Sequence, residues 1–124
     1  MDILISNSSD KPIYEQITSQ IKAMIMSGRL AEGDPLPSIR HMAKELRVSV
    51  ITTKRAYEDL ERDGFIETIP GKGSFVAAKN LSLIREEQLK AAEALLSEAV
   101  DIAKRSGITL DELTEMLRLL YEED

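Results

Sequence analysis

Apolar residues recur along the first part of the chain at intervals that predict a helix. From residue 12 to residue 27 they return every three or four positions and form one stripe, which consists of Ile13, Ile17, Ile21, Met24 and Ile25. Pro12 suits the first turn of such a helix, and Gly28 can end it. Residues 1–10 alternate weakly and then turn polar, so we predict a flexible arm there, with a short strand as the alternative.

Two short helices joined by a tight turn are predicted between residues 36 and 60. The first extends from about Ser38 to Leu46, and the second from about Ser49 to Leu60. Each opens on a serine, whose hydroxyl can accept a hydrogen bond from a free backbone N–H group of the first turn. Two helices that meet across so short a turn are typical of a helix-turn-helix motif. In that motif the N-terminal end of the second helix faces base edges in the DNA major groove, so DNA binding is our first functional hypothesis.

A β-hairpin is predicted after the helix pair. Its strands lie at residues 65–69 and 74–76, and the turn-forming stretch Pro70-Gly71-Lys72-Gly73 separates them. The second helix of such a motif is called the recognition helix, and a hairpin directly after it is called a wing. Its one lysine lies at the tip, from which it can reach the DNA backbone or the adjacent minor groove.

Two further helices are predicted in the last third of the chain, at residues 81–106 and from Thr109 onward. Thr109 and Glu112 have the spacing of a capping box. Both helices carry apolar stripes that two helices cannot cover by packing on each other, so we predict a two-fold dimer, with packing inside a monomer as the alternative. The predicted dimer contacts are Leu81, Ile84, Ala92, Leu95, Leu96, Ala99, Leu113, Leu117 and Leu120.

These elements predict a mainly α fold of the α+β class. A winged helix-turn-helix domain at residues 11–78 follows the arm, and a two-helix dimerisation tail occupies residues 79–124. The 124 residues allow one such domain and an appendage.

The distribution of charge supports DNA binding although the whole chain is acidic. Residues 1–80 carry 11 Lys or Arg and 11 Asp or Glu, so the whole formal charge of −6 belongs to residues 81–124. Between residues 36 and 55 there are five basic side chains and one acidic one, which concentrates positive charge on the helix pair. A local basic patch, and not the total charge, neutralises DNA phosphates.

Several other functions are disfavoured by composition. The chain has no cysteine, which excludes disulfides and thiolate metal sites and is typical of a reducing cytoplasm. The only histidine, His41, has no partner for a metal site or a catalytic triad. Lys72 lies in a GKGS stretch, but a phosphate-binding loop needs Ser or Thr directly after the lysine and a helix after the loop. We therefore expect no enzyme, no metal, no cofactor and no membrane segment.

The order and spacing of three stretches resemble the GntR family of bacterial winged-helix regulators, in its short-tailed YtrA-like branch. These stretches are PIYEQI at 12–17, SGRLAEGDPLPSIRHMAKELRVS at 27–49, and TTKRAYEDLERDGFIETIPGKGSFV at 52–76. The resemblance implies that Arg40 contacts DNA phosphates or bases and that Ser49, Thr52 and Lys54 face the DNA. It also implies that Gly71 and Gly73 are the wing glycines.

The sequence departs from the family pattern at the start of the recognition helix. Many members have an arginine where this chain has Val50, and a basic residue where it has Pro70. The apolar pair Val50-Ile51 suggests contact with thymine methyl groups. The complete set of predicted DNA-contacting residues is Ser38, Arg40, His41, Ser49, Val50, Ile51, Thr52, Lys54, Arg55, Gly71, Lys72 and Gly73.

The predicted function is that of a homodimeric repressor that binds a palindromic operator in double-stranded DNA. The resemblance also suggests control of the protein's own operon together with a transporter, and it identifies no small-molecule effector. The alternative is a winged-helix adaptor that binds another protein and does not read DNA sequence.

Overall fold

The computed structural model describes residues 1–77 and 81–123, with five helices and one two-stranded sheet in that part of the chain. The elements are α1 (Ile13–Met26), α2 (Ile39–Leu46), α3 (Val50–Arg62), β1 (Ile66–Ile69), β2 (Gly73–Val76), α4 (Leu81–Ser106) and α5 (Leu110–Glu122). Two compact units result, which we call the head (residues 1–83) and the tail (from Ile84 onward). The predicted boundary between residues 78 and 79 lies outside the described residues.

The head is built around α3, which packs against α1, α2 and the sheet. Its largest fully buried side chains include Ile17 and Ile21 of α1, Met42 of α2, and Leu60 of α3. Burial of this apolar surface provides the main stabilisation of the head. The stripe predicted for α1 is therefore its core-facing side, because Ile17, Ile21 and Ile25 are all buried.

Two buried polar side chains of α3 find partners on the backbone. The Tyr57 hydroxyl donates a 2.6 Å hydrogen bond to the carbonyl of Pro37, and burial raises the pKa of this phenol. Thr53 is fully buried, and its hydroxyl donates to the carbonyl of Ser49 at 3.1 Å. A hydroxyl is therefore accommodated in the core of the head because a backbone carbonyl accepts its proton.

The wing is an antiparallel hairpin that is extended by the loop before α2. Strands β1 and β2 pair from Ile66 opposite Val76 to Ile69 opposite Gly73. On the other side of β2, Pro35 forms a bridge with Phe75, and the N–H of Leu36 donates to the carbonyl of Ser74 at 2.9 Å. The loop therefore fixes the wing to the body of the head.

The first ten residues, which we predicted as a flexible arm or a short strand, are hydrogen-bonded to α1 at two places. The Gln20 side chain accepts from the N–H of Leu4 at 2.9 Å and donates to its carbonyl at 2.7 Å. One turn earlier, Gln16 bonds both backbone groups of Ser6 in the same way. These amides take the place of a neighbouring strand, and the side chain of Ile3 is buried. Residues 1–6 of the arm therefore lie along α1, and turns and bends at residues 7–11 lead into that helix.

The tail consists of two consecutive helices, α4 and α5, with little buried surface of their own. Thr109 and Glu112 form the predicted capping box, since the Thr109 hydroxyl accepts from the N–H of Glu112 and the Glu112 carboxylate accepts from the N–H of Thr109. Ala103 is the one buried apolar residue among the described residues of this unit. Helices α4 and α5 form an apolar groove of about 320 Å³, lined by residues that include Leu96, Val100 and Leu117.

Candidate nucleic-acid interface

The helix-turn-helix has the two serine caps that the sequence predicted. The Ser38 hydroxyl accepts a hydrogen bond from the N–H of His41 at 3.1 Å, and the Ser49 hydroxyl accepts from the N–H of Thr52 at 2.9 Å. Each bond satisfies one of the N–H groups that a helix leaves without an internal partner. The caps therefore fix where α2 and α3 begin and set the angle of entry into each helix.

The turn between α2 and α3 contains an arginine in the left-handed conformation. Arg47 has φ of 57°, and it is the only residue other than glycine with positive φ in the described parts of the chain. The N–H of Val48 reaches back to the carbonyl of Ala43 at 3.0 Å, which closes the end of α2. This conformation costs about 1–2 kcal/mol in a residue with a Cβ atom. Glycine is the usual residue in such a place, so the sequence did not predict this detail.

The N-terminal half of α3 presents apolar side chains to solvent. Ile51 is 81% exposed and Val50 is 45% exposed, while Thr53, Ala56 and Tyr57 are buried on the opposite side of the helix. Val50 and Ile51, which we predicted to contact DNA, therefore lie on the exposed side of α3. Two apolar residues exposed at the start of a helix form a surface that fits another apolar group, such as a base methyl.

Two hydroxyl groups lie beside this apolar pair. Besides capping α3, Ser49 donates through its hydroxyl to the hydroxyl oxygen of Thr52 at 2.7 Å. The Thr52 hydroxyl accepts that bond, so its own proton remains available for an external acceptor. The pair therefore offers a hydrogen-bond donor that the protein has already oriented.

Arg40 and Lys54 differ from His41 in whether a carboxylate of the protein lies beside them. Arg40 and Lys54 are exposed, and no carboxylate of the described chain lies within salt-bridge distance of either. His41 differs, because its Nε2 lies 3.1 Å from Oε1 of Glu45, one turn along α2. The structure therefore gives His41 a partner within the chain, which the sequence prediction did not include.

Arg55 has a neutral partner in place of a carboxylate. Its guanidinium carbon lies 3.7 Å from the centre of the Tyr14 ring, and this cation–π contact joins the recognition helix to the first turn of α1. Nothing in the spacing of the sequence pairs these two residues, so sequence reasoning missed Tyr14.

The C-terminal half of α3 has its one basic side chain paired with carboxylates of the protein. Arg62 lies 3.0 Å from Asp59 and 3.4 Å from Asp63, and these two carboxylates raise its pKa. Asp63 also accepts a 2.9 Å hydrogen bond from the ammonium of Lys22, which lowers the pKa of Asp63. Positive charge without a carboxylate partner is therefore confined to the first half of the helix.

The wing tip is a three-residue turn, shorter than the four-residue stretch that we predicted. The N–H of Lys72 donates to the carbonyl of Ile69 at 2.9 Å, and Gly71 has φ of 78°, which is the pattern of a type II turn with proline in second position. Lys72 is exposed at this tip. The Thr68 hydroxyl donates to Glu61 of α3 at 2.9 Å, which fixes β1 to the recognition helix.

The structure thus places the predicted DNA-contacting residues at three positions. Ser38, Arg40 and His41 are on the start of α2; Ser49, Val50, Ile51, Thr52, Lys54 and Arg55 are on the start of α3; and Gly71, Lys72 and Gly73 are in or beside the wing turn. In the part of the chain that the structure describes, no group of three or more His, Asp or Glu side chains could hold a metal ion. Within the same residues, no helix is long and apolar enough to cross a membrane.

Fold and site together define a winged helix-turn-helix DNA-binding protein. The family of bacterial regulatory proteins named gntR matches residues 13–76, and this chain belongs to it. It is a DNA-binding transcription regulator.

Similar proteins include regulators of nearly the same length. The HTH-type transcriptional repressor YtrA of Bacillus subtilis is 33% identical over 116 residues, which cover 94% of this chain and 89% of YtrA. A crystal structure described as a transcriptional antiterminator from Listeria monocytogenes covers 98% of this chain and 91% of its own, with 31% identity and a TM-score of 0.73. The DNA-binding domain of AraR in complex with operator ORX1 covers 62% of this chain and 96% of its own, with 25% identity and a TM-score of 0.55.

Proposed function

We propose that this regulator is a repressor that binds a palindromic operator as a homodimer. The observation that carries the proposal is the exposed first half of α3, where apolar, hydroxyl and unpaired basic side chains lie together on a folded helix-turn-helix. Repression is supported by the name of YtrA, with which the chain shares most of its length. A protein of this kind acts on the chromosome, in the bacterial cytoplasm.

The head is proposed to read DNA with the start of α3. Val50 and Ile51 contact thymine methyl groups, and Thr52 donates its free hydroxyl proton to a base or a phosphate. Arg40 and Lys54 bind phosphates or base edges, and Ser38, His41 and Ser49 lie beside them at the helix ends. Lys72 reaches the backbone or minor groove from the wing turn, which Gly71 and Gly73 shape.

The tail is proposed to hold two heads together. Side chains that we predicted as dimer contacts remain largely exposed in one chain, including Leu95 at 67%, Leu117 at 52% and Leu120 at 67%. So much exposed apolar surface on two helices marks an interaction site. A second copy is the simplest partner, because a two-fold pair of heads matches the symmetry of a palindrome. Leu81 belongs to the same prediction, but its side chain is outside the described residues.

The family resemblance extends the proposal to the genes that are controlled. The operator is proposed to lie before the protein's own operon, which would include a transporter. The tail carries six more acidic than basic residues, and its charge repels DNA, which favours approach by the basic face of the head.

Selection of bound sequences from a random duplex library is the test of the proposed function. The full-length wild-type chain should enrich two inverted half-sites with centres about one helical turn, or a multiple of it, apart. Affinity for the enriched duplex should fall steeply as salt rises, because phosphate contacts release counterions. If no sequence is enriched and affinity has no salt dependence, the adaptor hypothesis replaces the regulator.

A further inference from the structure

We propose that Tyr14 is a positioning residue that holds the Arg55 guanidinium ready for a DNA backbone phosphate. The inference rests on the proposed function, because it concerns how the same head binds duplex DNA. It adds a residue of α1 to an interface that otherwise belongs to α2, α3 and the wing.

The argument starts from three cations that link or flank α1 and α3. Lys22 lies 5.2 Å from the Phe65 ring centre, but its nitrogen is bonded to Asp63. Arg62 is bonded to two carboxylates. Arg55 contacts an aromatic ring and, within the described residues, has no carboxylate at salt-bridge distance. Of these three cations, Arg55 alone keeps a charge that the protein does not neutralise.

An aromatic partner leaves the hydrogen-bonding capacity of arginine intact. The ring attracts the flat face of the guanidinium, whereas the five N–H donors point outward in the guanidinium plane. Stacking on Tyr14 therefore fixes the orientation of the group and uses none of these donors. A carboxylate in the same place would have occupied some of the N–H donors. The free edge matches the bidentate geometry with which arginine binds phosphate.

The position of Arg55 on the helix points to the backbone and not to the bases. Arg55 lies one turn beyond Ile51, on the same side of α3. The residues at the helix start face the base edges, so a side chain one turn later lies nearer the groove wall, where the phosphates are. A long side chain that is already held in one orientation loses less conformational freedom when it binds.

Four full-length variants test the proposal: Arg55→Gln, Tyr14→Leu, Tyr14→Phe, and the double variant Tyr14→Leu/Arg55→Gln. Affinity is measured over a salt series for the duplex that the wild-type chain enriches and for mixed-sequence duplex DNA. Arg55→Gln should weaken binding about tenfold on both duplexes and lower the salt slope by about one per bound protomer. An even loss on both duplexes is the signature of a phosphate contact.

The Tyr14 variants separate positioning from a merely structural role. Tyr14→Leu keeps the charge, so affinity should fall about threefold to tenfold while the salt slope stays near the wild-type value. Tyr14→Phe keeps the ring and should bind within about twofold of wild type. The double variant should bind like Arg55→Gln alone, since the ring acts only through the arginine. Losses that multiply in the double variant would overturn the proposal.

Lys22→Met is the matched control for stability. It removes the contacts of Lys22 with the Phe65 ring, which lies just before β1, and with Asp63 at the end of α3, so it should lower the free energy of unfolding while DNA affinity stays unchanged. If Lys22→Met weakens DNA binding as much as Tyr14→Leu, α1 packing explains both and the proposal fails. If wild type binds with a salt slope but Arg55→Gln binds equally well, only this inference is wrong. If wild type shows no salt-dependent binding, the proposed function itself is wrong.

Discussion

The head and the tail of this protein expose opposite kinds of surface. The head buries a core of large apolar side chains around α3 and presents charged residues on the helix pair, together with the exposed Val50 and Ile51 at the start of α3. The tail presents leucines along both helices, and among its described residues Ala103 is the one apolar side chain that is buried. The head carries equal numbers of acidic and basic residues through residue 80, whereas the remainder holds the whole net charge of −6.

The difference shows which kind of partner each unit can take. A fold that buries its own core needs no partner for stability, and its exposed cations suit a polyanion. A pair of helices with exposed leucines lacks a sufficient core, and another apolar surface stabilises it. The proposed function therefore divides along the chain: the head contacts DNA, and the tail contacts a second copy.

The largest expected effect comes from a charge placed on the apolar face of the tail. Leu95→Glu puts a carboxylate where a second copy is proposed to pack, and desolvation of that charge opposes association. We expect a monomer in sedimentation, with helix content retained because Leu95 is 67% exposed in the single chain. Operator affinity should then fall by about 100-fold or more, since two linked heads bind far more tightly than one.

Ala94→Glu is the control for this variant. Residue 94 is also on α4 and exposed, and helical geometry puts it away from the groove-lining residues Leu96 and Ala99. The variant adds the same charge to the same helix and should remain dimeric. A Leu95→Glu protein that still sediments as a dimer would remove this face of the tail from the dimer interface.

A smaller effect is expected from loss of an unpaired cation of the head. Arg40→Ala should weaken operator binding by about 1–3 kcal/mol, the usual loss for an arginine that contacts DNA. Arg62→Ala removes an arginine that two carboxylates already neutralise, so its effect on affinity should stay within about twofold. Equal losses for the two variants, measured at one salt concentration, would show that only total charge matters.

The apolar start of α3 is tested on the DNA. Replacement of thymine by deoxyuridine at one operator position at a time removes a single methyl group from the major groove. At a position that Ile51 contacts, wild-type affinity should fall by about 0.8 kcal/mol, the value of one buried methylene-sized group. Ile51→Ala should no longer distinguish the two bases there. Equal binding of thymine and deoxyuridine duplexes at every position would exclude methyl readout.

Much of the fold was predictable because it depends on local signals. The serine caps, the capping box at Thr109 and Glu112, and the apolar stripe of α1 all lie within one or two helical turns of sequence. The residues that form each of these contacts are close in sequence, so the contact can be predicted without knowledge of how the helices pack. The structure confirms the winged-helix fold with its C-terminal helices. The arm at residues 1–10 is different, because its order depends on Gln16 and Gln20, whose side-chain amides could equally have faced solvent.

The site was predictable in its elements but not in its contacts. The exposed face of α3 follows from helix periodicity, so the exposure of Val50, Ile51 and Lys54 could be predicted from the sequence. The Arg55–Tyr14 contact joins separate helices, and Arg47 has the left-handed conformation in a turn where glycine is the usual residue. Contacts of this kind depend on how helices pack, and helical spacing alone carries no signal for them.

The smallest expected effect concerns a charge pair within the head. Hydrogen bonding to Lys22 lowers the pKa of Asp63 below its ordinary value of 3.8, so the folded state favours the carboxylate over the acid. The resulting stability is fully present above the unfolded pKa and is lost as pH falls through the folded pKa. Because both side chains are about one-third exposed, solvent screening limits the contribution to about 1 kcal/mol at most.

Asp63→Asn isolates the contribution of this charge pair. In urea unfolding, the difference in unfolding free energy between wild type and variant should be constant at neutral pH and shrink below about pH 4. A difference that is the same at pH 7 and pH 3 would show that the pair contributes nothing to the stability of the head.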